Sequence, residues 1–231
     1  MPLPLSPVEE AALLLSLKVA FWAVLCSLPF GVMLAWVLSR LDFPGKSLLD
    51  GLLHLPLVLP PVVIGYLLLV GLGRNGLIGK ILHEQLGISI AFTWKGAVAA
   101  SAVMAFPLLV RTVRLSLDAV NPKLEMAART LGAGPWRVFF TITLPLSIPG
   151  LVAGMVLAFA RSLGEFGATI TFVANIPGQT QTLPLALYTM TQVPNGEAAA
   201  MRLCFIAIAI ALLALIWANW LEKRFTRHLA G

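Results

Sequence analysis

Long apolar runs, separated by short polar segments, dominate the pattern of hydrophobic and polar positions along the chain. A helix needs about 20 apolar residues to cross a bilayer, and five runs approach or exceed that length. They are residues 11–38, 51–73, 96–110, 149–176 and 203–221. None alternates polar and apolar positions with the period of two that a membrane β-barrel requires. The pattern therefore predicts an all-α membrane protein with about five transmembrane helices.

The composition agrees with this pattern and excludes a soluble enzyme. Hydrophobic residues make up 59% of the 231 residues and charged residues only 11%, whereas a typical soluble domain has about 25% charged residues. So little charge cannot cover a water-facing surface. The net charge of +6 comes from basic residues at the ends of apolar runs, so we expect membrane lipid and no nucleic acid as a partner.

Lysine and arginine residues are distributed unequally between the two sides of the predicted bundle. Ten follow the first, third and fifth runs, five lie on the other side, and Arg161 lies inside the fourth run. Cytoplasmic loops carry an excess of these residues, which predicts an N-terminus outside and a cytoplasmic C-terminus. The ten are Arg40, Lys46, Arg111, Arg114, Lys123, Arg129, Arg137, Lys223, Arg224 and Arg227.

The polar segment between the third and fourth runs has a recognisable local pattern. Asn121 is suited to cap a helix that has Pro122 at its first position. Residues 132–135, Gly-Ala-Gly-Pro, break that helix, and a second one begins near Trp136. The pattern predicts a short amphipathic helix-turn-helix against the membrane, either without a partner or as a docking helix for a cytoplasmic protein. The apolar face of its first helix comprises Leu124, Ala127, Ala128 and Leu131.

This segment resembles the Glu-Ala-Ala loop of ABC-type importer permeases, which runs Glu-Ala-Ala, three residues, Gly, nine residues, Ile, one residue and Leu-Pro. Met126 occupies the glutamate position and Glu125 lies one residue earlier. Since one residue turns a helical side chain by about 100°, either of the two could face the ATPase. The resemblance implies a coupling loop over residues 119–146 within a single permease domain of residues 1–231. The positions in register are Ala127, Ala128, Gly132, Ile142, Leu144 and Pro145.

The fourth apolar run contains two charged residues, Arg161 and Glu165, four positions apart. This spacing allows the two charges to neutralise each other along one helix face, near the middle of the bilayer. A structural ion pair and an element that lines or gates a translocation pathway both fit the pattern. In the second case the neighbouring hydroxyl groups of Ser162, Thr169 and Thr171 would face a passing oxyanion.

Residues 159–172 resemble the fourth span of molybdate permeases, and sulfate and thiosulfate permeases carry a related stretch. The resemblance covers essentially the whole chain and implies the type I ABC importer permease fold in a bacterial inner membrane. It implies a homodimer with two cytoplasmic ATPase subunits and a periplasmic molybdate-binding protein. The implied function is import of molybdate, and of tungstate because it has the same shape and charge. A sulfate or thiosulfate permease is the alternative within the family.

Enzyme signatures are weak in this chain. Gly45-Lys46-Ser47 resembles the end of a phosphate-binding loop, but Arg40 stands where that motif requires a glycine. The three histidines have no zinc spacing, and no nucleophile elbow is present. We therefore expect no catalytic site and no cofactor bound by this chain, with ATP used by the partner subunit. A secondary transporter or channel is the alternative of another class, although five runs do not divide into an inverted repeat.

Overall fold

The structure is a computed structural model that describes residues 5–229, with the side chains of residues 218, 219 and 221–229 outside the description. The described residues form helices and connecting segments and contain no β-strand. A π-helical turn, Phe139–Thr143, joins α7 to α8. In chain order the helices are α1 (Pro7–Arg40), α2 (Lys46–Val58), α3 (Pro61–Leu72), α4 (Leu77–Leu86), α5 (Trp94–Ala119), α6 (Pro122–Thr130), α7 (Pro135–Val138), α8 (Leu144–Leu163), α9 (Gly167–Val173), α10 (Leu183–Gln192) and α11 (Glu197–Leu229).

Among the described residues, four helices are long and apolar enough to cross a membrane: α1, α5, the continuous helix Pro135–Leu163, and α11 over Glu197–Trp217. The number is five if α2 and α3, which bend by 113° at the break between them, are one span. Pro60 and Pro61 lie at this break. Because a proline has no backbone N–H to donate, consecutive prolines favour a helix end there. The prediction of an all-α protein with about five spans is confirmed, and the segment predicted as the second span is a bent pair of helices.

We name the two ends of the bundle after the first and last residues of α1, the Pro7 end and the Arg40 end. At the Arg40 end, Arg40 Nη2 donates to the carbonyl oxygen of Leu117 in α5 at 2.9 Å. At the Pro7 end, Glu9 pairs with Arg202 near the start of α11 at 2.9 Å. Helices α1, α5 and α11 therefore run from the Pro7 end towards the Arg40 end, and α8 returns in the opposite direction, whereas α2 and α3 do not share one direction because they bend by 113°.

The central helix of the bundle is α5, which packs against both α1 and α8. Small residues on α8 allow this close approach, as they do in other membrane bundles. A Cβ added at Gly150 would lie 2.2 Å from the Cβ of Ser116 in α5. The buried cluster around α5 towards the Arg40 end comprises Ala35, Leu38, Ala105, Leu109, Val110, Val113, Leu117 and Ala158.

The fourth apolar run does not form one helix, so the prediction of a single span over residues 149–176 is wrong in its boundaries. The helix begins upstream at Pro135 and ends at Leu163. Residues 164–166 interrupt it, and α9 then turns against α3, where a Cβ added at Gly65 would lie 2.6 Å from the carbonyl oxygen of Ala168. Glycines on both sides of the break, at 164 and 167, disfavour a continuous helix.

One other predicted segment has shifted boundaries. The third run, predicted over residues 96–110, is part of the 26-residue helix α5, which is about 39 Å long and includes Arg111 and Arg114. The side chains of three residues that entered the charge prediction, Lys223, Arg224 and Arg227, lie outside the description.

Candidate functional site

The segment between α5 and α8 folds as two short helices joined by a turn, as predicted. Asn121 caps α6 through Oδ1, which accepts a hydrogen bond from the backbone N–H of Lys123 at 3.0 Å, and Pro122 is the first helical residue. Gly132 follows α6 with a φ of +84°, a left-handed conformation that a side chain resists. Pro135 then begins α7. The local sequence therefore specifies both the helix and its end.

Glu125 and Met126, the two alternatives for the position that faces a partner, differ in exposure. Glu125 is 8% exposed and Met126 is 57% exposed. The Oε1 atom of Glu125 accepts hydrogen bonds from Arg40 Nη2 and from Thr143 Oγ1, both at 2.8 Å. Glu125 is therefore held inside the permease, and Met126 is the residue available to another protein.

Five large apolar side chains are exposed around α6 and α7. We name them the docking face: Leu124, Met126, Leu131, Trp136 and Phe140. Leu131 is 89% exposed, so the described chain itself does not cover the apolar side predicted for this helix, and the position of that side against the membrane stays a prediction. Three exposed basic residues, Lys123, Arg129 and Arg137, lie on the same two helices. An exposed apolar patch with a polar rim is typical of a protein interaction site.

The remaining positions of the sequence motif lie beside this face. Ala127 is exposed on α6 and Ala128 is half-buried. Ile142 is half-buried in the π turn, and Leu144 and Pro145, also half-buried, open α8. The structure thus brings the motif together at the Arg40 end, while its role in coupling stays a prediction.

Arg161 and Glu165 form an ion pair, as their spacing predicted. Arg161 Nη1 and Glu165 Oε2 are 2.6 Å apart, and the Glu165 side chain is fully buried while that of Arg161 is 27% exposed. The other carboxylate oxygen of Glu165 accepts a hydrogen bond from the backbone N–H of Ala168 in α9 at 2.8 Å. The pair therefore bridges the break between α8 and α9.

The pair lies at the end of its helix, because the span that the sequence predicted over residues 149–176 is interrupted after Leu163; its depth in the bilayer stays a prediction. Arg161 belongs to the last turn of α8. Its neighbours Ala160 and Leu163 share a groove with Leu13 and Ser16 of α1. This places the pair towards the Pro7 end of the bundle, because Leu13 and Ser16 lie in the first third of α1.

Two of the three candidate hydroxyl groups near the pair are engaged within α9 and its first turn. Thr169 Oγ1 donates to the carbonyl oxygen of Phe166 at 2.8 Å, and Thr171 Oγ1 donates to that of Gly167 at 2.9 Å. Ser162 Oγ is buried and bonds no group in the part of the chain that the structure describes. A translocation role for these residues remains a prediction.

Sequence reasoning missed two residues of the buried network at α6. Arg40 is separated from Glu125 by 85 positions, and it entered the sequence argument only as a charge that indicates topology. Thr143 occupies an unspecified position of the motif, between Ile142 and Leu144. The signal available in the sequence was Glu125, an acid next to the motif, because a carboxylate that becomes buried requires hydrogen-bond donors.

Comparisons with known proteins agree on one family. The model described as "Binding-protein-dependent transport system inner membrane component" matches residues 27–227. The molybdenum transport system permease protein ModB of Escherichia coli K12 is 64% identical, over 96% of this chain and 97% of its own length. The sulfate transport system permease protein CysT of the same organism is 39% identical, over 98% and 81%.

Solved structures show the same fold. A bacterial alginate ABC transporter, in complex with an alginate pentasaccharide-bound periplasmic protein, contains a chain that matches this one with a TM-score of 0.75. The match covers 96% of this chain and 80% of that chain at 18% identity. At that identity the likeness shows the architecture of an ABC importer permease and no more.

Proposed function

The chain belongs to the family of binding-protein-dependent transport system inner membrane components, and from that premise we propose that it is the permease of an ATP-driven molybdate importer. The observation that supports molybdate as the substrate is the 64% identity to ModB of Escherichia coli over almost the whole length of both chains. Tungstate, with the same shape and charge, is proposed to use the same route. The permease acts as a homodimer, the arrangement that the resemblance implies.

The docking face supports a cytoplasmic ATPase subunit as the partner at the Arg40 end. Its exposed apolar residues lie on the segment that carries the family motif, and Met126 projects outward where the motif has its glutamate. The chain itself binds no cofactor in this proposal, and the ATPase subunit binds and hydrolyses ATP. Burial of a face with large apolar side chains such as Leu131 and Trp136 supplies the affinity.

The orientation follows from the distribution of charge. The Arg40 end carries the larger share of lysine and arginine, which supports a cytoplasmic position for this end. The Pro7 end then faces the periplasm and receives the molybdate-binding protein, and the C-terminus is cytoplasmic. A reporter fused after Arg227 is expected to be active in the cytoplasm, and activity only in the periplasm would contradict this orientation.

The ion pair argues for transient passage of the oxyanion and against a tight site within this chain. Glu165 cancels the charge of Arg161 at 2.6 Å, so the α8–α9 junction offers no net positive charge to an anion. The binding protein therefore makes most of the selection, and the permease provides a path whose opening follows the ATPase. Arg161, Glu165 and Ser162 are the proposed lining or gating residues of that path.

Competition between oxyanions tests the proposed substrate. The permease is reconstituted with its ATPase and binding protein, and uptake of labelled molybdate is measured with excess unlabelled tungstate or sulfate. We expect tungstate to suppress uptake and sulfate to leave it nearly unchanged. Suppression by sulfate as strong as by tungstate would favour a sulfate permease, the alternative that the 39% identity to CysT supports. Uptake that proceeds without ATP would favour a secondary transporter or a channel.

A further inference from the structure

Glu125 joins four segments of the chain at the Arg40 end. Its Oε1 atom accepts hydrogen bonds from Arg40, the last residue of α1, and from Thr143, the last residue of the π turn. Arg40 also donates to the carbonyl oxygen of Leu117, near the end of α5, at 2.9 Å. One carboxylate on α6 therefore belongs to a network that includes α1, α5 and the start of α8.

The attachment of α6 to the bundle depends strongly on this carboxylate. Among the nine residues of α6, all of which the structure describes, Glu125 alone is buried. The two large apolar residues of α6, Leu124 and Met126, are exposed on either side of Glu125 and belong to the docking face. A force applied to that face therefore reaches the membrane helices through the chain connections and through the bonds of Glu125.

The π turn is the second part of the network. A π turn within an α-helix is rare and often marks a functional position, and this one joins α7, which carries part of the docking face, to the long helix α8. Thr143 at its end is 2% exposed. Phe139 at its start packs edge-to-face on Trp36 of α1, with ring centroids 6.1 Å apart. Both ends of the turn are thus held by contacts that lead to α1.

We propose that Glu125 is a positioning residue for coupling, whose carboxylate transmits displacement of the docking face to α1 and α8. The inference rests on the proposed docking of an ATPase subunit. In this arrangement the acid adjacent to the motif acts inside the permease, and Met126 contacts the ATPase. The bonds of Glu125 keep α6, α1 and the π turn moving as one body, so its loss uncouples ATP hydrolysis from transport and leaves docking in place.

The test uses three variants and one matched control. Glu125→Ala removes the carboxylate, Thr143→Val removes one donor at nearly constant volume, and Glu125→Gln keeps an acceptor oxygen without the charge. The control is Asp42→Asn, which removes an exposed acid that pairs with Lys46 at 2.9 Å near the same end; exposed pairs of this kind contribute little. The measured quantities are co-purification with the ATPase subunit and molybdate transported per ATP hydrolysed in proteoliposomes.

We expect Glu125→Ala and Thr143→Val to retain the ATPase subunit while transport per ATP falls by about two- to thirtyfold, the range for residues that couple distant sites. Glu125→Gln is expected to lose less, and Asp42→Asn to match the parent. Fewer assembled complexes with unchanged transport per ATP would show a merely structural role and overturn the proposal. If Glu125→Ala does not assemble, parental transport per ATP in Thr143→Val overturns it. Failure of the parent to bind the ATPase would contradict the proposed function instead.

Discussion

Arg161 and Glu165 are joined across a helix break, with Nη1 of the arginine 2.6 Å from Oε2 of the glutamate. The arginine lies in the last turn of α8, and the glutamate also accepts a hydrogen bond from the N–H of Ala168 in the first turn of α9. The same carboxylate therefore neutralises a charge in an apolar bundle and fixes the direction of the following helix. The two functions can be separated by variants that keep the shape of each side chain.

Neutralising Arg161 is expected to destabilise the permease by about 3 kcal/mol, because the fully buried carboxylate of Glu165 is left unpaired; neutralising Glu165 should cost less, because Arg161 is 27% exposed. Arg161→Met and Glu165→Gln are the single variants, and Glu165→Gln keeps the acceptor for Ala168. The double variant removes both charges and should recover assembly. The yield of monodisperse permease and its thermal unfolding temperature measure the effect.

Transport by the double variant distinguishes the two interpretations of the pair. A gating pair predicts that the double variant assembles but couples ATP hydrolysis poorly to uptake, and this is the outcome we expect. A purely structural pair predicts recovery of both assembly and transport. Single variants that assemble and transport like the parent would contradict both interpretations.

The turn after α6 is expected to require glycine because of its backbone conformation. Lack of room for a side chain is not the reason. Gly132 has a φ of +84° and no atom within 4 Å of an added Cβ. Gly132→Val should therefore cost about 1–2 kcal/mol in local structure and weaken association with the ATPase, while insertion in the membrane is unchanged. The control is Gly134→Ala, because Gly134 has open space and a φ of −69°. Normal co-purification of the ATPase with Gly132→Val would refute this expectation.

A charge at the most exposed residue of the docking face should disrupt binding without disturbing the fold. Leu131 is 89% exposed, so Leu131→Glu removes little packing within the chain. It places a carboxylate in the proposed interface. We expect the free energy of binding to the ATPase subunit to become less favourable by about 2 kcal/mol, the size of an interface hot spot. Leu77→Glu provides the control, since Leu77 is 86% exposed but lies on α4. Equal losses from both variants, measured by titration in detergent, would argue against the docking face.

The contact between α3 and α9 is expected to depend on Gly65. An added Cβ would lie 2.6 Å from the backbone oxygen of Ala168 and 2.8 Å from the Cβ of Thr171. Gly65→Ala should therefore destabilise the permease by about 1–3 kcal/mol through overpacking. Gly71→Ala, in the same helix with no atom within 4 Å, should be neutral or stabilising because alanine favours a helix. A thermal unfolding temperature for Gly65→Ala at or above that of Gly71→Ala would contradict the packing.

Local patterns predicted the parts of the structure that depend on neighbouring residues. Hydropathy gave five passes, Asn121 and Gly132 marked the limits of α6, and the spacing of Arg161 and Glu165 gave their ion pair. The break after Leu163 was missed because the apolar run continues through it, although glycines flank the break. Hydropathy likewise gave no sign of the bend between α2 and α3.

The orientation of Glu125 depends on distant parts of the chain. The sequence alone therefore did not decide whether Glu125 or Met126 faces the partner. Glu125 and Met126 fit the family motif almost equally well, and the slip of one residue allowed either to face the partner. Arg40, 85 positions away, decides between them, because a buried carboxylate needs a charged donor. The exposure of Leu131 has a related cause, since α6 is turned so that its acid faces inward.

Uptake by reconstituted vesicles tests the central claim most directly. The permease is placed in proteoliposomes with its ATPase and binding protein, and labelled molybdate is followed inside vesicles that contain either ATP or a non-hydrolysable analogue. The account predicts accumulation of molybdate only with ATP and only when the binding protein is present, and loss of that accumulation in Leu131→Glu but not in Leu77→Glu. Accumulation with the analogue, or equal accumulation by both variants, would contradict it.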